Sequence, residues 1–222
     1  MLRDAALVAG KDLRVELRSR VATNQVAPYA LLVLIVFAFA LDPDRGFLAK
    51  AAPGLFWLAV VFSALLAIQR SFAIESVDGG RDALRLSGLD PSGIFIGKAA
   101  AIALELALLE VALGAGVVVL YNAPLGGAVL LASTCVLATI GLAAAGTVFG
   151  VLAAGLRVRD TLLPLLLLPV LAPLILSATR ATEYALAGES ADGWPWVQLL
   201  GIFAVVYTAF GVIAFGPLLE ES

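Results

Sequence analysis

The chain has no histidine and only one cysteine among its 222 residues. Histidine is the usual general base near neutral pH and a common ligand of metals and haem. Its absence argues against histidine-based catalysis, a histidine metal site and histidine ligation of haem. Cys135 has no second cysteine with which to form a disulfide within the chain. From these absences we predict no catalytic residue and no metal site.

Charged residues are also scarce. They make up 14% of the chain, whereas hydrophobic residues make up 62% and the mean hydropathy is +1.04. Soluble domains carry about 45–50% apolar and about 25% charged residues. A soluble domain of this composition would expose extensive aliphatic surface and aggregate. The composition therefore predicts a membrane protein, and its long unbroken apolar runs favour an all-α fold over a β-barrel.

The sequence also lacks a phosphate-binding loop of the Gly-x-x-x-x-Gly-Lys-Ser/Thr type. The nearest string, residues 93–99, is one residue short and has no hydroxyl after Lys98. The Gly-x-Ser-x-Gly turn of serine hydrolases is absent as well. We therefore expect no nucleotide site in this chain, and we interpret Gly97 and Lys98 as the base of a membrane span.

Six apolar runs approach or exceed the roughly 20 residues that a helix needs to cross a bilayer. They predict six transmembrane helices within a single domain over residues 1–222. The predicted spans cover residues 23–41, 51–70, 94–121, 125–156, 161–178 and 197–217. Too little chain remains outside these spans for a soluble catalytic domain.

Three prolines interrupt the fifth span: Pro164, Pro169 and Pro173. Each proline removes an intrahelical hydrogen bond, so we expect this span to be kinked or broken. Residues 178–196 then form the largest predicted external segment, with a short helix at 179–187. Trp194 and Trp196 stand in that segment where an aromatic belt would lie.

Basic residues fall mainly on one side of the predicted spans. Eleven of the fourteen Lys and Arg residues lie before the first span, around the second loop or in the fourth loop. The other three are Arg45, Lys50 and Arg180. Cytoplasmic loops carry the excess of Lys and Arg. We therefore predict a multi-pass protein of the bacterial inner membrane with both termini in the cytoplasm.

Residues 1–20 have the periodicity of an amphipathic helix. Apolar side chains recur every three or four positions, at Leu2, Ala6, Ala9, Leu13 and Leu17. Charged residues occupy the other faces, which predicts an interfacial helix with basic groups near lipid headgroups. The alternative is a cytoplasmic helix packed on a partner. Acidic residues in this stretch are unlike the start of a signal peptide, so we expect the helix to be retained.

Two glutamates, Glu105 and Glu110, lie within the third span. Glu105 is about eleven residues, or roughly 16 Å, past Ile94, which predicts a position near the middle of the bilayer. Intramembrane carboxylates are often functional, so Glu105 is a candidate functional carboxylate, with a structural role as the alternative. For Glu110 we favour a structural role, hydrogen-bonded to a hydroxyl such as Thr134 or Thr147.

Glycine and alanine crowd the fourth span between residues 141 and 155. The pair Gly146 and Gly150, separated by three residues, lets another helix approach closely. This pattern predicts a packing surface, either inside the bundle or between two copies of the chain.

Several motifs carry a resemblance to a known family. Residues 52–57 lead into a span that ends with Gln69-Arg70-Ser71-Phe72, followed by a turn at Pro91 and by Lys98. Residues 12–18 and the Leu-Pro pairs of residues 162–179 extend the match over nearly the whole chain. The chain thereby resembles CcmB-type permeases, the haem-exporter B subunits of the cytochrome c maturation system.

The resemblance implies a six-span permease bundle of the ABC-2 type, without ATPase activity of its own. It implies a separate CcmA-type ATPase that hydrolyses ATP, CcmC- and CcmD-like membrane subunits and a periplasmic haem chaperone. Two permease copies or a permease heterodimer are expected in each complex, in contact with membrane lipids and with no nucleic acid. The implied function is haem export or release of the haem-loaded chaperone.

A permease without a nucleotide site needs a cytoplasmic contact with its ATPase. We predict this coupling contact in the loop between the second and third spans. Its candidate residues are Phe72, Glu75, Asp78, Gly79, Leu84 and Leu86. The alternative interpretation is a solvated loop without a partner.

Haem needs aromatic surface, a cation for its propionates and often an axial ligand. The candidate external surface for cargo or a partner consists of Trp57, Arg180, Tyr184, Trp194 and Trp196. None of these is a usual axial ligand, so we expect no cofactor bound directly and any haem cargo to be ligated by a partner. Two alternative functions stay open: an ion-coupled carrier that uses Glu105, and a non-catalytic scaffold.

Overall fold

The computed structural model describes residues 1–19, 26–41, 45–75, 86–121, 127–154 and 159–221. All regular secondary structure in these ranges is helical, which confirms the all-α prediction. The described helices are α1 (Leu2–Ser19), α2 (Ala27–Leu41), α3 (Arg45–Glu75), α4 (Pro91–Tyr121), α5 (Ala128–Ala154), α6 (Arg159–Ala187) and α7 (Ser190–Glu221).

Five of these helices contain segments long and apolar enough to cross a membrane, which identifies a multi-pass membrane protein. The segments are Lys50–Ala73, Pro91–Val119, Ala128–Ala154, Thr161–Ala187 and Ser190–Glu220. α2 corresponds to the first predicted span and is wholly uncharged, but it has 15 residues. It therefore covers about 22 Å of a hydrocarbon core of roughly 30 Å. The described residues thus contain five candidate spans, and the predicted count of six is not confirmed.

α5 lies at the centre of the bundle, where it packs against α3, α4, α6 and α7. Every residue from 141 to 148 is buried. A methyl group at Gly146 would overlap the side chain of Ile68, and one at Gly150 would overlap the ring of Phe72. Glycine at both positions leaves room for these side chains of α3, so α3 and α5 approach closely there. The predicted packing surface therefore lies inside the bundle.

The connection between α6 and α7 differs from the predicted external segment. α6 continues through its three prolines to Ala187, and α7 begins at Ser190, so the prediction of a long segment over 178–196 is wrong. The turn is made by Gly188, whose φ is +78°. The Glu189 N–H then donates to the Tyr184 carbonyl at 3.0 Å. This is the Schellman pattern, which closes a helix in two residues.

The ends of α3 and α4 also differ from the predicted spans. α3 extends from Arg45 to Glu75, so Phe72 and Glu75 belong to the helix and not to the following loop. α4 starts at Pro91, where the side chain of Asp90 accepts a hydrogen bond from the Ser92 N–H at 3.0 Å. An Asp cap followed by proline is a favourable helix start. Asp78, Gly79 and Leu84 lie outside the described residues.

α1 packs along the first turns of α4. Ala5 and Val8 are buried in this contact. A methyl group at Gly97 would lie 2.6 Å from the Ala5 carbonyl oxygen, so the glycine lets the two backbones approach closely. The apolar stripe that the sequence predicted for α1 does not face α4. Its members Leu2 and Leu17 are 80% and 74% exposed. The C-terminal end of α3, the start of α4 and α1 together form what we call the α1 end of the bundle.

Replacing Gly97 with alanine should loosen α1, because the new methyl group clashes with helix backbone that cannot rotate away. We expect the free energy of unfolding to fall by about 1–3 kcal/mol, and cleavage within residues 1–19 to accelerate in limited proteolysis. Gly10→Ala is the matched control, because its methyl group meets no atom within 4 Å. Equal behaviour of the two variants would contradict the packing.

Candidate functional site

The predicted coupling residues fall into three groups. Leu86 is 86% exposed just before α4. Phe72 is buried in α3, so its ring packs within the bundle and is not available to a separate protein. Glu75 is the last residue of α3. Asp78, Gly79 and Leu84 lie outside the described residues. Leu86 is therefore the one described side chain of this set that offers an exposed apolar contact.

Lys98 is the most deeply placed charge at the α1 end, with a side chain that is 0% exposed. Its ammonium group lies 3.3 Å from a carboxylate oxygen of Asp12 and 3.3 Å from Ser71 Oγ. It also sits 4.8 Å from the centre of the Phe72 ring, in a cation–π contact. One lysine on α4 thus binds α1 and α3 together. The sequence analysis assigned Lys98 only to the base of a span.

A second ion pair reinforces this junction. Arg70 on α3 lies 2.7 Å from a carboxylate oxygen of Glu16, and its other terminal nitrogen donates to Ser19 Oγ at 2.9 Å. Asp12 and Glu16 are one helical turn apart, so they lie on the same face of α1. That acidic face meets the basic side chains of α3 and α4. An acidic pair four residues apart in α1 was the sequence signal for this contact.

Glu105 lies beside these charges. It lines a cavity of about 30 Å³ together with Asp12, Glu16, Arg70 and Ser71. A space of this size holds about one or two water molecules and offers them several polar partners. Glu105 therefore belongs to the polar junction at the α1 end. The sequence analysis predicted its depth in the bilayer but not these neighbours.

Glu110 is buried, and it accepts a hydrogen bond from Thr139 Oγ1 at 2.5 Å. This agrees with a hydroxyl partner, but the hydroxyl is neither of the two expected. Thr134 and Thr147 donate to carbonyls of their own helix, those of Leu130 and Ala143. The pairing of Glu110 with Thr139 therefore depends on how α4 faces α5.

Glu110 and Thr139 line an apolar groove of about 1060 Å³. Most of the lining residues belong to α4 and α5, and five belong to α3 and α6. Cys135, which is half-buried, lines the same groove. Among the described residues that line the groove, Glu110 is the one with an ionisable carboxylate, and none is Lys or Arg.

The five predicted external residues do not form one surface. Trp57 is 0% exposed, and its Nε1–H donates to Thr182 Oγ1 at 2.9 Å, so it fastens α3 to α6. Tyr184 and Trp196 are half-buried against a small cluster of buried apolar residues from α5, α6 and α7. Trp57 must therefore be removed from the candidate cargo surface.

Arg180 and Trp194 remain accessible. Arg180 lies 2.9 Å from a carboxylate oxygen of Glu183 on the same helix, and both side chains are about half exposed. Trp194 is 41% exposed in the first turns of α7. Of the five predicted residues, these two are the ones whose side chains are exposed at the end of the bundle opposite α1.

The sequence matches a known protein family over nearly its whole length. The family model described as CcmB protein matches residues 4–222. The chain belongs to the CcmB family. The match covers six of the seven described helices in full and α1 from residue 4 onward, so this assignment does not depend on a single motif.

Curated relatives agree with this assignment. Heme exporter protein B of Paracoccus denitrificans is 30% identical over 206 residues, which cover 92% of each chain. Heme exporter protein B of Escherichia coli K12 is 30% identical over 185 residues, covering 82% of this chain and 83% of its own. The Rhodobacter capsulatus protein of the same name is 28% identical over 194 residues. The aligned residues cover between 83% and 92% of the length of these three relatives.

Removing the Lys98 ammonium should destabilise the protein, because the Asp12 carboxylate then keeps only its contact of 3.0 Å with the half-exposed Lys11. We expect Lys98→Met to lower the free energy of unfolding by roughly 1–3 kcal/mol, measured by denaturant titration in detergent micelles. Arg180→Met is the matched control, since its exposed pair with Glu183 should contribute at most about 1 kcal/mol. The double variant Lys98→Met with Asp12→Leu should be more stable than the sum of the two single losses in unfolding free energy predicts. If the losses of the two single variants simply add, the two side chains do not interact.

Proposed function

We propose that this chain is the membrane-spanning permease subunit of an ATP-driven complex that exports haem, or releases a haem-loaded chaperone, for cytochrome c maturation. The observation that carries the proposal is the CcmB match over residues 4–222, together with relatives named Heme exporter protein B. The five long apolar helices are what such a subunit requires.

ATP hydrolysis belongs to a separate CcmA-type subunit in this proposal, because the sequence contains no phosphate-binding loop. The contact with the ATPase is assigned to the segment between α3 and α4. Leu86, 86% exposed at the end of that segment, supplies an apolar anchor. Asp78, Gly79 and Leu84 complete the contact, with Glu75 at its start. Phe72 is left out because it is buried.

The polar junction at the α1 end offers a route from this contact into the bundle. The segment 76–85 follows directly on α3, whose last turns carry Arg70 and Ser71. Those residues are bonded to Glu16 and Lys98, on α1 and α4 respectively. A displacement of the segment would therefore act on three helices together. The ion pairs and hydrogen bonds among the three helices would transmit such a movement.

The finer architecture is a single permease domain over residues 1–222 with six spans, α2 being the first. α1 lies at the membrane surface with its exposed leucines in the interface, and both termini face the cytoplasm of a bacterial inner membrane. The excess of Lys and Arg at the α1 end supports this orientation. The complex would contain two permease copies, or a heterodimer, with CcmC- and CcmD-like subunits.

The cargo is haem in this proposal, ligated by a partner subunit or by the periplasmic chaperone. Arg180 and Trp194 provide an exposed cation and an exposed aromatic surface at the end of the bundle opposite α1. An ion-coupled carrier has less support, since Glu105 shares its cavity with Arg70 and two carboxylates of α1. No observation favours a scaffold that lacks transport.

The function is tested by purifying the chain from native membranes and assaying ATP-dependent cytochrome c maturation. We expect an ATPase to copurify, and Leu86→Asp to reduce its recovery roughly tenfold or more, as for an interface hot spot. Glu189→Ala, in the turn before α7, is the control and should retain the ATPase. Maturation that continues at the normal rate in the Leu86→Asp variant would contradict the coupling role.

The orientation is tested with reporter fusions that are active on only one side of the membrane. A fusion within the Gly188–Glu189 turn should report the periplasm, because this turn joins α6 and α7 at the end opposite α1. A fusion after Glu221 should report the cytoplasm. If both fusions report the same side, α7 does not cross the membrane and the topology is wrong.

A further inference from the structure

We propose that the exposed face of α1 binds anionic phospholipids and that Arg14 and Arg18 select them over zwitterionic ones. This selectivity presupposes the position of α1 at the membrane surface that the proposed function assigns, and it adds the class of lipid. It depends neither on the cargo nor on the ATPase.

The acidic side chains of α1 face the bundle, where each has a partner. Asp12 pairs with the buried lysine of α4 at 3.3 Å, and Glu16 pairs with the arginine of α3 at 2.7 Å. Asp4 accepts a hydrogen bond from the Asp90 N–H at 3.4 Å, just before α4. At 100° per residue these three acidic positions fall within about 120° of the helix circumference. The negative charges of α1 are therefore used inside the protein.

The basic side chains of α1 lie on its exposed face. They are Arg3, Lys11, Arg14 and Arg18. They fall within about 80° of the circumference, in an arc that does not overlap the acidic one. Lys11 also contacts Asp12 at 3.0 Å, whereas neither Arg14 nor Arg18 has an ion-pair partner among the described residues. α1 thus presents a cationic surface, although the whole chain has a net charge of −3.

Exposed leucines lie among these basic residues. Leu7 is four residues from both Arg3 and Lys11, and Leu17 follows Arg14 by three. Residues three or four apart are neighbours on a helix surface. An acidic protein surface would pair with the basic groups but would leave the leucines in polar surroundings. A bilayer surface suits both kinds of side chain, because it offers phosphate groups beside acyl chains.

The place where α1 packs on α4 puts this face at the level of lipid headgroups. The apolar segment Pro91–Val119 of α4 has 29 residues. It is about 43 Å long as a helix, which exceeds the hydrocarbon core of roughly 30 Å. Its ends therefore reach into the headgroup region. α1 packs at one of these ends, against Gly93 and Gly97, so lipid phosphates are within reach of its basic side chains.

The chemistry of the two arginines favours an anionic headgroup. Arg14 and Arg18 are one helical turn apart, so both can reach the same headgroup. A guanidinium group binds phosphate oxygens through two parallel hydrogen bonds. A zwitterionic headgroup also carries a cationic amine, which the arginines repel. An anionic headgroup such as phosphatidylglycerol gains the attraction without this repulsion.

Photo-crosslinking in nanodiscs tests the selectivity on the purified chain, with no other membrane subunit present. The discs contain equal amounts of phosphatidylglycerol and phosphatidylcholine, one of which carries a photoactivatable group near its headgroup. Mass spectrometry counts the adducts on residues 1–19 relative to those on α7. We expect phosphatidylglycerol adducts to exceed phosphatidylcholine adducts roughly fivefold for each arginine engaged, the factor that corresponds to about 1 kcal/mol per basic residue at an anionic surface. Equal yields would overturn the selectivity.

Paired variants connect this preference to the two arginines. Arg14→Gln with Arg18→Gln should remove most of it, whereas Arg14→Lys with Arg18→Lys should retain most of it because the charges remain. The matched control is Lys50→Gln with Arg180→Gln, which removes two exposed cations outside α1. Unchanged elution on size exclusion establishes that each variant is folded. A preference that persists in the glutamine pair, or that falls equally in the control, would refute the role of the arginines.

The same experiment separates the lipid selectivity from the position of α1 that it presupposes. If neither lipid forms adducts on α1, the helix does not lie at the membrane surface, and both the position and the selectivity are wrong. If both lipids form equal adducts, the position holds and the selectivity alone fails. Leu7→Gln with Leu17→Gln should lower the adducts of both lipids alike, because acyl chains are common to both. A changed ratio in that variant would contradict selection by charge.

Discussion

The ammonium group of Lys98 is the charge around which the α1 end of this protein is arranged. It is fully buried on α4, so the surrounding helices must supply its partners. Asp12 of α1 and Ser71 of α3 do so at 3.3 Å each, and the Phe72 ring centre lies 4.8 Å from the ammonium nitrogen. This requirement explains why α1 is docked on the bundle and why the last turns of α3 are held against α4.

The two carboxylates of α4 illustrate how one helix serves two environments. Glu105 lies next to Arg70 in a small polar cavity that α1 closes. Glu110, less than two turns further on, faces α5 and the apolar groove, where a threonine hydroxyl is its nearest donor. The first belongs to an ion-paired junction, and the second to a groove that no described residue of this chain fills. In a membrane this contrast matters because neither group can turn to bulk water for a partner.

Much of the fold follows from hydropathy alone, since helices are the way a chain this apolar satisfies its backbone in lipid. The prediction erred where boundaries depend on local geometry. The turn at Gly188 replaces a long external segment, because a Schellman closure needs only a glycine with positive φ and one backbone hydrogen bond. Likewise, α3 continues past Arg70 to Glu75 because the charges of its last turns are paired with α1. No apolar pattern records such pairing.

The sequence by itself determined the membrane as solvent, the helical class, the missing nucleotide site and the resemblance to CcmB permeases. These properties depend on composition and on short motifs, which do not require contacts between distant residues. Tertiary structure alone decided that Trp57 is a buried link to Thr182, that Thr139 is the partner of Glu110, and that α4 and α5 leave a groove between them. Each of these depends on how helices rotate and pack against one another, and the apolar faces of membrane helices are too alike for hydropathy to specify that rotation.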